Sequence, residues 1–395
     1  MPAPVRPASM AARSLRHSLP SHLTPAPVSY LHPSPFILKI RRQPVRLVSS
    51  RASSTSKRPP PPSPQFPTVA ACPSPTCACE PMPELPEGLP IDHKAPLNGL
   101  ISAYNEQVLV CTGHADWPSK IEEENSGDNL AADLKELFGR GGKYSDPFHN
   151  VSVLNSSFPA SPPSYPGLQS SSVYLLPSFT YVPMLPRVSF DAVEALAKGF
   201  LLPERLHKAH DGLLSPVHRD RLTRKAPFQG LLPNVQPVTD ILVLICGHGG
   251  RDARCGIMGP VLEAAFEGQL ERVGVAVQHG PIEVGPGPAR LADKTDEEAD
   301  PSRSVVFHKS EKTARIGMIS HIGGHKFAGN VIIYLPPNLA QADGSAHPLA
   351  GYGVWYGRIE PQHVEGIVKE TVLDGRVVTD HFRGAISPDR KIVRL

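Results

Sequence analysis

Two cysteines and two histidines in this chain have the types and spacing to hold an inorganic centre. Cys246 and Cys255 are separated by eight residues, four of them glycine or alanine, in a loop leaving an apolar strand. His321 and His325 are separated by three residues, in SHIGGHKFAGN, directly after another strand. Together they offer two thiolates from one loop and two imidazoles from a second. Gly323 and Gly324 lie between the imidazoles and Gly329 closes the turn. Such glycines let sulfide approach the backbone without meeting a Cβ, and their N–H groups can donate to sulfur. Each pair alone says little. A strand-end cysteine is commonly a small buried apolar residue, and an H-x-x-x-H pair arises easily among 17 histidines. It is the combination that points to a metal or iron–sulfur centre. Cys2His2 also suits a structural, tetrahedral zinc, but zinc loops ordinarily use C-x2–4-C. The eight-residue gap fits a wider binuclear cluster better.

Alternating strands and helices must position these four residues. Asp240–Cys246 (DILVLIC) is a wholly apolar run suited to the middle of a sheet. GHGGRDARCGIMG reads as a loop leading to a helix that opens at Pro260, with Val261, Leu262, Ala265, Phe266 and Leu270 on one face. Strands are expected at 315–320, 330–335 and 354–359, then a helix from Pro361 that turns Val364, Ile367 and Val368 inward and stops at Gly375. An earlier stretch has the same rhythm. It predicts a strand at Gln107–Cys111 and a helix through Leu130, Leu134, Leu137 and Phe138, capped by Asp128. Strands at 151–154 and 172–176 follow, and a helix at 190–201 with Ser189 as its cap. The rest of the Pro- and Ser-rich run 156–187 reads as irregular, and 202–236 as a connector with helical pieces. LVCTGH (109–114) and LICGHG (244–249) each set a strand-end Cys before Gly and His, a weak sign of a tandem α/β repeat.

The order strand, C-x8-C loop, helix, strand, H-x3-H loop, strand and then WYGRIEPQHVEGIV resembles a thioredoxin-like ferredoxin. Those ferredoxins carry C-x3-C in the second loop, where this chain has His321 and His325. That substitution, within HIGGHKFAGN, is similar to the fungal sucrase/ferredoxin-like family. TGHADWPSKIE (112–122) and LPEGLPIDHKAPLNG (85–99) are similar to its mitochondrial branch. The resemblance covers roughly residues 72–395. It implies an α/β fold of two thioredoxin-like lobes, a degenerate one at 85–235 and a thioredoxin-like ferredoxin domain at 236–395. It also implies a [2Fe–2S] cluster, with Cys246 and Cys255 on the inner iron and His321 and His325 on the outer one. That ligand set is Rieske-like without the Rieske fold. Neutral imidazoles raise the potential above that of an all-cysteine cluster. The expected role is a redox or electron-transfer protein. Its expected partners are a redox partner protein and the mitochondrial iron–sulfur assembly machinery.

Composition narrows the rest. Residues 1–79 hold ten Lys or Arg and no Asp or Glu, leaving 30 basic and 37 acidic side chains beyond them. The net charge of +3 is therefore no argument for a nucleic-acid partner, because the basic excess sits in the leader. Arg6, Arg13, Arg16, Arg41, Arg42, Arg46 and Arg51 recur among Ser, Ala and Leu, as in an organelle transit peptide. Residues 1–55 are expected to be a disordered mitochondrial leader addressed to the matrix or intermembrane space; a plastid address would look similar. Residues 56–84 are expected to be a Pro-rich linker carrying Cys72, Cys77 and Cys79. Those three cysteines are candidate redox thiols and keep a thiol–disulfide oxidoreductase open as an alternative. No apolar run approaches the ~18 residues of a membrane span.

Other residues near the four ligands have plainer expected roles. His248 reads as a loop-surface residue or a stand-in ligand. Arg251, Arg254 and Lys326 read as solvated cations, with screening of cluster charge as the alternative role. Cys111 lacks a C-x-x-C partner, which argues against a working thioredoxin in the first lobe. The Gly-rich loop lacks the spacing and Lys-Ser/Thr of a P-loop. No paired-carboxylate motif supports glycoside hydrolysis.

Overall fold

The computed structural model describes residues 65–76, 78–163, 167–284 and 312–395. The expected leader, residues 56–64 of the expected linker and Cys77 lie outside the described residues. The first described strand is short, β1 (Thr68–Val69). The first lobe then runs β2 (Glu106–Cys111), α1 (Leu130–Phe138), β3 (Val151–Ser156), β4 (Ser170–Leu176), β5 (Thr180–Pro186) and α2 (Asp191–Leu196). A connector holds α3 (Pro216–Arg221) and β6 (Gln236–Pro237). The second lobe runs β7 (Ile241–Cys246), α4 (Ala253–Arg272), β8 (Ala276–Val277), β9 (Thr313–Ile319), β10 (Val331–Tyr334), β11 (Gly353–Tyr356) and α5 (Pro361–Ile367). The chain closes with β12 (Val377–Val378), β13 (Phe382–Ile386) and β14 (Ile392–Val393).

One sheet runs through both lobes in the order β14-β13-β11-β10-β7-β9-β3-β2-β4-β5-β6. Its two halves repeat one plan. In each, a parallel β-α-β pair is followed by two antiparallel strands, in the spatial order second, first, third, fourth. The halves meet second strand to second strand, antiparallel, at Ser156 and Ile319. This arrangement is consistent with two thioredoxin-like lobes and gives the LVCTGH/LICGHG echo a structural counterpart: Cys111 and Cys246 end equivalent strands. Residue 235 is not a break in the sheet. β6 returns to pair with β5, and Pro62–Leu395 forms one compact unit.

The apolar run of β7 is explained by burial on both faces. Ile241, Val243 and Ile245 pack with Met258, Leu262, Phe266 and Leu270 of α4. Leu242, Leu244 and Cys246 join a second core that contains Cys255, Tyr334 and Trp355. That second core also holds a polar network: the Tyr104 and Tyr334 hydroxyls lie 2.6 Å apart, and Trp355 Nε1 donates to Tyr104 at 3.1 Å.

Four expectations change. Order begins earlier than residue 85. Phe66 is buried, edge-on to Tyr352 and Phe382, and β1 pairs in parallel with β12. The run to 187 is less irregular than its prolines suggest: β5 is a strand whose outer side pairs only at Thr180 and Tyr181. Pro183 and Pro186 therefore sit where a missing N–H costs little. The cap of α1 is Asn129 rather than Asp128; its side chain accepts from Ala132 N–H at 2.9 Å. Finally, α4 opens at Ala253, not Pro260, so Cys255 lies on a helix rather than in a loop.

Candidate metal centre

The cysteine half is built from the end of β7 and the first turn of α4. Cys246 N–H donates to the Asn330 carbonyl at 3.0 Å. The start of α4 is set by Asp252, whose carboxylate accepts from Arg254 N–H at 3.1 Å and also grips the Arg254 guanidinium. The helix comes close to the strand end because both surfaces are glycine: a Cβ on Gly256 would lie 2.7 Å from Gly249 Cα. Both thiols are buried. Cys255 donates its hydrogen bond to Cys246, which holds the Cys246 thiol well below its ordinary range against the cost of burial. The His321 ring and the Ile322 N–H act in the same direction. Cys255, as the donor, is pushed far up. Cys246 is thus the first of the pair to ionise, and it does so beside an imidazole.

The histidine half follows β9. The rings of His321 and His325 are 5.5 Å apart between centroids and inclined by 31°. Their Nδ1 atoms are buried and accept or donate no hydrogen bond. Buried polar atoms are normally satisfied, so two such exceptions on one turn, one of them on the ring that acts on Cys246, are a functional signal. The loop is held from below by Asn330, whose side chain donates to the Gly324 carbonyl at 3.0 Å. Asn330 therefore touches both halves, through its carbonyl to Cys246 and its amide to the histidine turn.

Arg383, on β13, completes the site and carries no signal in the sequence. It is only 3% exposed. It donates to Leu100 O at 2.9 Å, Gly323 O at 3.2 Å and Asn330 Oδ1 at 2.6 Å, and its guanidinium lies over the Trp355 ring. Among the described residues it forms no ion pair with a carboxylate. Burial lowers it to about 10, opposed by the charge of Cys246 and Cys255. A buried cation needs a counter-charge, and here the nearby anionic groups are sulfur.

His248 is neither a surface residue nor a ligand. It is buried; its Nδ1 accepts from His321 N–H at 3.0 Å, and its Nε2 lies 3.0 Å from the carbonyls of Trp117 and Pro118. It clamps a first-lobe loop against the histidine turn. Gly250 N–H adds to that clamp by donating to Asp116. Arg254 is likewise buried and paired rather than solvated. Arg251 is exposed and donates to Ser119 Oγ at 3.1 Å, and Lys326 pairs with Asp92 at 2.9 Å.

The structure brings Cys246, Cys255, His321 and His325 together as two pairs. Among the described residues no group of three or more His, Cys, Asp or Glu side chains is placed to hold one metal ion. The donor set, two adjoining thiols and two imidazoles with open nitrogens, fits a group that takes two ligands at each end. Cys72 and Cys79 do not join it. Cys72 donates to the His363 carbonyl at 3.4 Å, and burial, then Glu370 and Asp380, push its thiol up to about 11. Cys79 lines a small cleft against α4 and α5. Cys111 is buried in the first lobe, its thiol raised by burial. No helix among the described residues is long and apolar enough to cross a membrane.

The family described as sucrase/ferredoxin-like matches residues 97–384. Three curated relatives are each named altered inheritance of mitochondria protein 32. The protein from Meyerozyma guilliermondii is 28% identical over 60% of this chain and 64% of its own length. That from Debaryomyces hansenii is 27% identical over 78% of this chain and 93% of its own length. That from Clavispora lusitaniae is 34% identical over 38% of this chain and 36% of its own length. No solved structure matches.

Proposed function

Since the chain belongs to the sucrase/ferredoxin-like family, we propose that it is a mitochondrial electron-transfer protein holding a [2Fe–2S] cluster on Cys246, Cys255, His321 and His325. The observation that carries this reading is the pair of adjoining buried thiols with the His321 ring acting on Cys246, on a turn whose two imidazoles keep buried, unpartnered Nδ1 atoms. When bound, such a cluster supplies one-electron chemistry at a potential raised by its two imidazole ligands. The chain's own residues do the rest. Cys246 is already inclined to the thiolate that ligation requires. Arg383, itself buried, offsets negative charge at the site. His248 and Asn330 hold the two ligand pairs in register. The relatives' names refer to mitochondria, and the acid-free leader supports the same address. The high Cys72 thiol gives no support to disulfide exchange through that residue.

The test is anaerobic purification followed by visible spectroscopy and metal analysis. Two irons and two sulfides per chain, with absorption across the visible region, are expected. Cys246→Ser and Cys255→Ser should abolish both, and Cys111→Ser should not. Changing His321 and His325 together to Cys should leave a cluster whose potential is lower by a few hundred millivolts, the span between Rieske and plant-type centres. One zinc per colourless chain would reject the proposal.

A further inference from the structure

A cavity of about 340 Å³ opens beside His321 and is not part of the ligand pocket. Cys246, Cys255 and His325 do not line it; of the four proposed ligands His321 alone does. Its floor is apolar, made by Leu134 and Phe138 of α1 and Val151 and Val153 of β3. The loop carrying Ser119 and Ile121 forms one wall. Beside His321 stand its chain neighbour Ser320 and His248, which accepts from His321 N–H; Arg251, held by Ser119, also lines the cavity.

The charges at its rim are unequal. Glu122 is neutralised by Lys135, and Lys120 pairs with Glu123 at 2.6 Å. Arg251 has the Ser119 hydroxyl at 3.1 Å and, among the described residues, no carboxylate. The size lies within the range of small-molecule sites, which combine an apolar lining with a few convergent polar groups. A flat apolar body fits the α1–β3 floor, and one acidic group satisfies the guanidinium.

We infer that this cavity binds a small organic anion with a planar apolar body, its acid on Arg251 and its ring against the edge of His321. The inference rests on the proposed function only for what the contact achieves: it places a small acidic redox molecule, such as a ring-bearing carboxylate or sulfonate, directly on an iron ligand. Binding itself requires only the cavity.

Naphthalene-2-sulfonate is a suitable probe, with 2-naphthylmethanol as the uncharged control, titrated calorimetrically into the full chain with and without cluster. One site per chain is expected, with the alcohol and the Arg251→Gln variant each about tenfold weaker, the worth of one charge-assisted hydrogen bond. Ser119→Trp should block the site. Both residues are exposed, so neither change disturbs the core. In the cluster-free chain, the probe should shift the imidazole resonances of His321 more than those of His325. Absence of binding at millimolar probe overturns the inference, as does affinity indifferent to both substitutions or a shift confined to His325. Binding as described in a chain that never acquires iron would leave the cavity site standing and remove the cluster. A normal cluster with no probe binding would do the reverse.

Discussion

Gly329 is the residue on which both ligand pairs turn, and its replacement by alanine has a calculable cost. Its φ is +86°, and an added Cβ would sit 2.1 Å from the Ile359 carbonyl oxygen and 2.7 Å from Ile359 N. Both are backbone atoms that cannot swing aside. The segment must separate, breaking the bonds from Ile359 N–H to Gly329 O at 3.0 Å and from Arg358 N–H to Phe327 O at 3.1 Å. Left-handed backbone costs an alanine about 1–2 kcal/mol, two lost hydrogen bonds add about 1 kcal/mol each, and the residual overlap adds about 1–3 kcal/mol. The sum is roughly 4–7 kcal/mol. Gly323, in the same loop, is the control. Its φ is +81° but its Cβ would meet nothing within 4 Å, so Gly323→Ala carries only the backbone term of about 1–2 kcal/mol. With an m-value of about 3 kcal/mol/M, urea midpoints of the two variants should differ by about 1–2 M. Because Asn330 follows directly and touches both halves of the site, Gly329→Ala should also lose visible absorption while Gly323→Ala keeps it. Equal midpoints and equal colour in the two variants would refute the argument.

Arg383→Met should lower the midpoint potential by on the order of 50 mV or more, since a buried positive charge favours electron uptake; Arg383→Lys should recover part of it, and an unchanged potential in redox titration would show that the guanidinium does not face the cluster. His363 and His381, with rings 4.2 Å apart, are both lowered chiefly by burial, His363 to about 4. Their folded values lie below the unfolded one, so the stability they contribute is complete above pH ~6.5 and falls away towards pH ~4. After allowance for partial exposure this is about 1–2 kcal/mol; His363→Asn should flatten the loss between pH 7 and 4.5 in urea titrations, and an unaltered slope would count against it. Deleting residues 1–60 should leave cluster content and unfolding midpoint unchanged in a bacterial host. Deleting 1–84 removes Phe66 and β1 and should cost about 3–5 kcal/mol, as for loss of a buried phenylalanine, so equal midpoints for the two truncations would show that the β1 segment is not part of the core.

Much of this protein is readable along the chain. DILVLIC announces a strand buried on both sides, because an unbroken apolar run of strand length has no face left for water. HIGGHKFAGN places two imidazoles on a glycine turn, and C-x8-C places two thiols near one strand end. These are local statements about period, turn chemistry and ligand spacing, and residues a few positions apart determine them. The glycines around Cys255 misled for the same reason: locally they signal a loop, whereas they allow α4 to start early and press against Gly249. What pairs with what across a hundred residues was decided only by the tertiary structure. Arg383 reaches Gly323 and Asn330 because β13 lies two strands from β10 in the sheet. His248 is buried because the sheet order brings the Trp117 loop of one lobe over the cysteine turn of the other. The cavity beside His321 exists because β3 and β9 meet end to end, setting α1 of the first lobe next to the histidine turn of the second. Sequence specifies the donors and the turns that carry them; the continuous sheet decides their counter-charge, their clamp and their access.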